Sequence, residues 1–65
     1  MEKLYILTPN SGELEDIRII INEEEAVTLS KQYPSCTVEI FEKDVKLFGY
    51  IMSYKYFQNG ILYNY

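Results

Sequence analysis

The segment Tyr54-Lys55-Tyr56-Phe57-Gln58-Asn59-Gly60-Ile61-Leu62-Tyr63-Asn64-Tyr65 decides how this chain folds. Asn59-Gly60 between two runs of strand-forming residues is the strongest short-range hairpin signal, because both central residues of a type I′ turn need φ > 0. A two-residue loop at that point sets a register in which Phe57 faces Leu62, Tyr56 faces Tyr63 and Tyr54 faces Tyr65. Side-chain alternation then gathers Tyr54, Tyr56, Tyr63 and Tyr65 on one sheet face. These four are the candidate partner-binding residues.

Upstream of the turn, residues 48–58 read as one long strand, with Gly49 marking a bulge or a bend. Thr37-Val38-Glu39-Ile40-Phe41-Glu42 alternates with period two, which sets Val38 and Ile40 opposite Glu39 and Phe41. Lys43-Asp44 is a polar break between these two strands.

Further back, Asn22-Glu23-Glu24-Glu25 reads as a helix start. Asn22 serves as N-cap, Glu25 stands at the third position of a capping box, and three carboxylates face the positive end of the helix dipole. Ile21 and Ala26 occupy the positions of a hydrophobic staple. Ala26, Leu29, Ser30 and Tyr33 fall on one helical face, and Pro34 ends the element because the residue before a proline resists the α region. Ile17-Arg18-Ile19-Ile20-Ile21 is almost unbroken β-branched sequence, expected to form a strand that is central or covered on both faces. Residues 4–8 form a first strand that stops at Pro9-Asn10-Ser11-Gly12, and the connection to the second is too short for a helical crossover, which favours antiparallel pairing.

The element order is thus ββαβββ: a single small α+β domain over residues 1–65, with one helix packed on an antiparallel sheet. One short helix cannot cover five strands, so one sheet face stays partly open. The even-numbered side of the C-terminal hairpin carries Tyr50, Met52, Tyr54 and Tyr56, joined by Ile61, Tyr63 and Tyr65. The other side is mixed. The final strand also lacks a covering segment, so its edge is open to β-augmentation.

At 65 residues, folding removes only roughly 60% of the unfolded chain's surface, and the core is marginal alone. The usual supports for so small a fold are disulfides, a structural metal or association. One cysteine and no histidine disfavour the first two, which leaves self-association or docking on another protein. Hydrophobic residues at 48% and aromatics at 15% separate the chain from disordered compositions.

A lone thiol suits a reducing compartment. No signal peptide or membrane-length apolar run is present, so an intracellular, cytoplasmic protein without membrane contact is expected. The net charge of −4 with six scattered basic residues repels a phosphate backbone and disfavours nucleic acid as a partner.

Catalysis lacks parts: no histidine for general base work, no Gly-rich phosphate loop and no nucleophile with a visible activator. Neither a cofactor nor a metal site is expected. Cys36 reads as a small half-buried core residue rather than a reactive thiol. The acidic runs Glu13, Glu15, Asp16 and Glu23, Glu24, Glu25 match no calcium loop, and the second is explained by helix-start chemistry.

Leu4-Tyr5-Ile6-Leu7-Thr8-Pro9, Asn22-Glu23-Glu24-Glu25-Ala26, Tyr33-Pro34, Val38-Glu39-Ile40-Phe41-Glu42-Lys43 and Tyr54-Lys55-Tyr56-Phe57-Gln58-Asn59-Gly60 together resemble short uncharacterised proteins of large DNA viruses. The resemblance spans most of the chain and brings no activity or site residues with it. It implies a viral origin, and with it a minor virion component or a binder of a host or viral protein.

The expectation from the residues is a non-enzymatic structural or interaction module that forms homo-oligomers or docks on a protein through its tyrosine-rich sheet face or terminal edge strand. The alternative is an acidic inhibitor or decoy that presents Glu13, Glu15, Asp16, Glu23, Glu24 and Glu25 to a basic protein site. Salt separates them, because charge-led binding falls steeply with ionic strength and apolar binding does not.

Overall fold

In the computed structural model, which describes residues 2–8 and 17–65, Asn59 and Gly60 take φ values of 52° and 78°, the left-handed pair that a type I′ turn requires. Gln58 pairs with Ile61, Phe57 with Leu62, Tyr56 with Tyr63 and Lys55 with Asn64. The register anticipated from the Asn-Gly dipeptide is the one formed.

The elements are β1 (Lys3–Thr8), β2 (Arg18–Ile20), α1 (Glu23–Gln32), β3 (Thr37–Lys43), β4 (Tyr50–Gln58) and β5 (Ile61–Asn64). They build an α+β fold in which α1 packs against a five-stranded sheet of order β2-β1-β3-β4-β5, antiparallel at every step. Because β1 runs against both of its neighbours, β2 and β3 are parallel to each other, and α1 is the crossover between them. From the central strand β3 the chain meanders outward through β4 to β5. The anticipated turn at Pro9-Asn10-Ser11-Gly12 and the acidic residues Glu13, Glu15 and Asp16 lie outside the described residues.

The helix begins where its capping residues place it. Asn22 keeps extended backbone angles while its side-chain oxygen accepts the N–H groups of Glu24 at 2.8 Å and Glu25 at 3.3 Å, which satisfies two donors that have no partner inside the helix. Glu23, Glu24 and Glu25 fill the first turn and Lys31 the last, both favourable to the helix dipole.

One face of α1 and one face of the sheet make the core. Tyr5, Leu7, Ile20, Ala26, Val38, Ile40 and Phe57 are buried, with Val27, Leu29 and Cys36 packed against them. The cross-strand pairs Tyr5–Ile20, Tyr5–Ile40, Leu7–Val38 and Val38–Phe57 put all six buried strand residues on the same side, under the helix. Val38 has no solvent exposure.

Two sequence expectations change. The isoleucine-rich second strand is not central: β2 is a three-residue edge strand in which Ile20 is buried while Ile19 is 65% and neighbouring Ile21 59% exposed. The helix covers only one side of the sheet, so only one isoleucine of β2 reaches the core. Tyr33 is exposed rather than on the buried helix face, because it is the C-cap, with ψ of 70°, and has left the helical path. Of the bulge or bend anticipated at Gly49 the bend forms, its carbonyl accepting the Asp44 N–H at 3.0 Å, and a bulge that the sequence did not announce sits further along. Between the pairs Ile40–Lys55 and Phe41–Met52 strand β4 carries the two extra residues Ser53 and Tyr54. There Tyr54 takes a φ of 63°, and the Ser53 hydroxyl donates to the Ile40 carbonyl at 2.8 Å.

Candidate functional site: the open face of the sheet

The side of the sheet away from α1 is built by the residues that alternate with the core. Ile19 pairs with Ile6, Ile6 with Glu39, Glu39 with Tyr56, and Tyr56 with Tyr63, giving one row that crosses all five strands. The next row runs Leu4, Phe41, Met52. Apart from Glu39 these are aliphatic or aromatic, and Ile19, Met52 and Tyr63 are exposed.

Three of the four candidate tyrosines form a ring cluster. Tyr56 stacks on Tyr63 with centroids 5.4 Å apart and planes at 20°, and it meets Tyr65 at 4.8 Å and 42°, within the range of favourable aromatic pairs. Tyr54 stands apart from these ring contacts. The bulge takes its backbone out of the β3 ladder, and it is tied to Tyr65 through the main chain, its carbonyl accepting the Tyr65 N–H at 2.8 Å.

At the centre of the face stands Glu39, a residue that sequence reasoning placed on a strand but not in the site. The Tyr65 hydroxyl donates to one of its carboxylate oxygens. The other, Oε2, is shielded from solvent with no hydrogen-bond partner among the described residues. The hydrogen bond to Glu39, aided by partial desolvation and by the carboxylate's charge, pushes the Tyr65 phenol up to about 12, since ionisation would set two negative charges in contact. The signal for Glu39 lay in its position: alternation sets it on the open side, but which β4 residue it meets depends on the loop and the bulge.

The loop between β3 and β4 is the second feature missed. Val45, Leu47 and Phe48 are 94%, 73% and 106% exposed, on a turn held by the Asp44–Gly49 backbone bond and by the Lys46 N–H donating to the Asp44 carboxylate at 2.9 Å. Lys43-Asp44 does break the strand, yet apolar side chains follow it.

Other candidate chemistry stays dispersed. Among the described residues no group of three His, Cys, Asp or Glu side chains is placed to hold a metal ion. Glu24 and Glu25 both border a surface depression on α1 with Thr28, Leu29 and Gln32, but adjacent helix residues diverge by about 100° and do not converge on one point. Glu23 adds its charge to burial in raising the Tyr5 phenol above its ordinary value. Cys36 is half-buried against the core. No helix among the described residues is long and apolar enough to cross a membrane. Comparison with known protein families, with curated proteins and with solved structures finds no match to this chain.

Proposed function

We propose that this chain is a non-enzymatic interaction module that associates with a protein surface through the sheet face opposite α1. The observation that supports this reading is the row from Ile19 to Tyr63, aliphatic and aromatic on either side of Glu39, which crosses every strand with no element over it among the described residues. Monomeric proteins rarely leave a contiguous apolar patch larger than a few hundred Å2 uncovered, and those that do use it for contact. Tyrosines contribute because their rings supply apolar area at low rotamer cost while their hydroxyls tolerate water. The β5 edge is a weaker route. With four residues it presents outward only the backbone groups of those not bonded to β4, which limits the hydrogen bonds a new strand gains.

Of the acidic residues that the decoy reading names, those among the described residues, Glu23, Glu24 and Glu25, already serve the helix start. The test compares affinity capture from the native source by the wild type, an Ile19→Lys/Met52→Lys variant and a Thr28→Lys variant on the helix surface. A specific protein held by the wild type and Thr28→Lys but lost by Ile19→Lys/Met52→Lys is expected. Equal capture by all three removes the open face from consideration.

A further inference from the structure

We infer that the occupant of the open face is a second copy of this chain, packed sheet against sheet about a two-fold axis that crosses β3 at Phe41 and sets Glu39 of each copy against Lys43 of the other. The inference rests on the open-face reading and specifies its partner.

Size comes first. The 29 strand residues, at ~3.3 Å along a strand and ~4.8 Å between strands, lay out roughly 460 Å2 of sheet, and the exposed Val45, Leu47 and Phe48 beside it extend a contact that falls at the small end of specific interfaces.

Symmetry and charge then choose the arrangement. An isologous two-fold contact needs a patch complementary to itself. Strand β3 is the middle strand of the order β2-β1-β3-β4-β5, and its open side carries Glu39, Phe41 and Lys43 in succession, with the two opposite charges equally spaced about Phe41. A two-fold axis lying in the interface, perpendicular to β3 at Phe41, sets Phe41 on Phe41 and Glu39 on Lys43 twice over. It also sets Met52, the cross-strand partner of Phe41, on its own counterpart. Of the two in-plane axes that keep the strands of both copies aligned, the other, parallel to β3, superposes Glu39 on Glu39 and Lys43 on Lys43. Like charges therefore exclude it, and the surviving register is an aligned sheet sandwich of ordinary type.

Two further observations agree with that register. Glu39 Oε2 has no donor among the described residues, and the ammonium of Lys43 from the second copy supplies one while the Tyr65 hydroxyl keeps the other oxygen. The same axis carries the apolar Val45–Phe48 loop of each copy toward the Thr37, Gln58 and Ile61 end of the other sheet. Its side chains there exchange water for the exposed Ile61.

Sedimentation equilibrium across concentration tests the arrangement with wild type, Lys43→Glu, Glu39→Lys, the double exchange Glu39→Lys/Lys43→Glu, and Met52→Lys, with circular dichroism as the check on folding. The wild type is expected to be a dimer. Lys43→Glu, at an exposed position that leaves the fold intact, and Glu39→Lys should each weaken the dimer at least about tenfold, and the double exchange should recover to within about threefold of wild type. A wild type that remains a single chain at all concentrations overturns self-association, while the open face is judged by the capture experiment. A dimer indifferent to Met52→Lys overturns the open face itself. A dimer weakened by Met52→Lys but not recovered in the double exchange overturns the Glu39–Lys43 register.

Discussion

The hydroxyl of Ser30, fully buried in α1, accepts the backbone N–H of Gly60 at 2.9 Å and donates to the Val27 carbonyl at 2.7 Å. In a two-residue hairpin loop the N–H of the second loop residue has no place in the ladder, so a side chain from another element has to satisfy it if it is to be covered. One hydroxyl thereby fastens the helix to the hairpin that is last in the chain.

Replacing Ser30 with alanine leaves the Gly60 N–H without a partner beneath α1. Denaturant unfolding should show a loss of about 1–3 kcal/mol, the cost of an unsatisfied buried donor. A Ser30→Ala protein as stable as wild type would mean that water replaces the hydroxyl.

Gly60→Ala meets two obstacles. A Cβ at this position lies 2.5 Å from Lys31 Cε, and φ is 78°. The lysine end can move, whereas the left-handed backbone costs any L side chain roughly 1–2 kcal/mol. Thermal unfolding of Gly60→Ala should therefore show a lower midpoint, and adding Lys31→Ala should restore only the smaller part.

The two faces of the sheet should respond unequally to truncation. Val38→Ala removes two methyl groups from a site without exposure and should lower stability by about 2 kcal/mol, from lost burial plus a cavity. Ile19→Ala, on the 65% exposed open face, should stay within about 0.5 kcal/mol when measured at dilution. Equal losses in unfolding free energy would contradict the assignment of faces.

The Tyr65–Glu39 contact gives the stability a dependence on alkaline pH. The folded phenol stands at about 12 against an ordinary 10.0, so above pH 10 the unfolded chain releases this proton first and the folded state binds more. Stability from this pair is thus complete below 10 and lost as pH rises toward about 12. Ultraviolet titration of tyrosinate should show a late-ionising phenol that disappears in Tyr65→Phe and moves toward 10.0 in Glu39→Gln. An unchanged profile in both variants would exclude the contact.

Much of the architecture was readable because its signals are local. The Asn22 cap, the three glutamates after it, the Val38 and Ile40 alternation and the Asn59-Gly60 reversal each depend on residues within a few positions of one another. The failures share the opposite property. Ile17-Arg18-Ile19-Ile20-Ile21 has the composition of a covered strand, but its place at the sheet edge follows from where α1 returns the chain. The bulge at Ser53-Tyr54 depends on how β4 accommodates β3, and nothing in Met52-Ser53-Tyr54-Lys55 alone announces it.

The candidate site divides in the same way. Pairing across a two-residue turn brought Tyr56 to Tyr63, since a hairpin register is local. Glu39 joined the tyrosines only through the β3–β4 pairing, a contact between segments separated by a loop of its own conformation.

By itself the order of residues determined an α+β chain of six elements, a capped helix and a terminal hairpin in known register, because hydrogen-bond capping, turn angles and side-chain periodicity act over neighbouring positions. Only the tertiary structure decided that β3 lies at the centre, that Ile19 and Phe48 face water, and that an acidic side chain stands in the middle of an apolar face. Those outcomes turn on which surface a single helix can cover, a matter of competing long-range burial that no local pattern encodes.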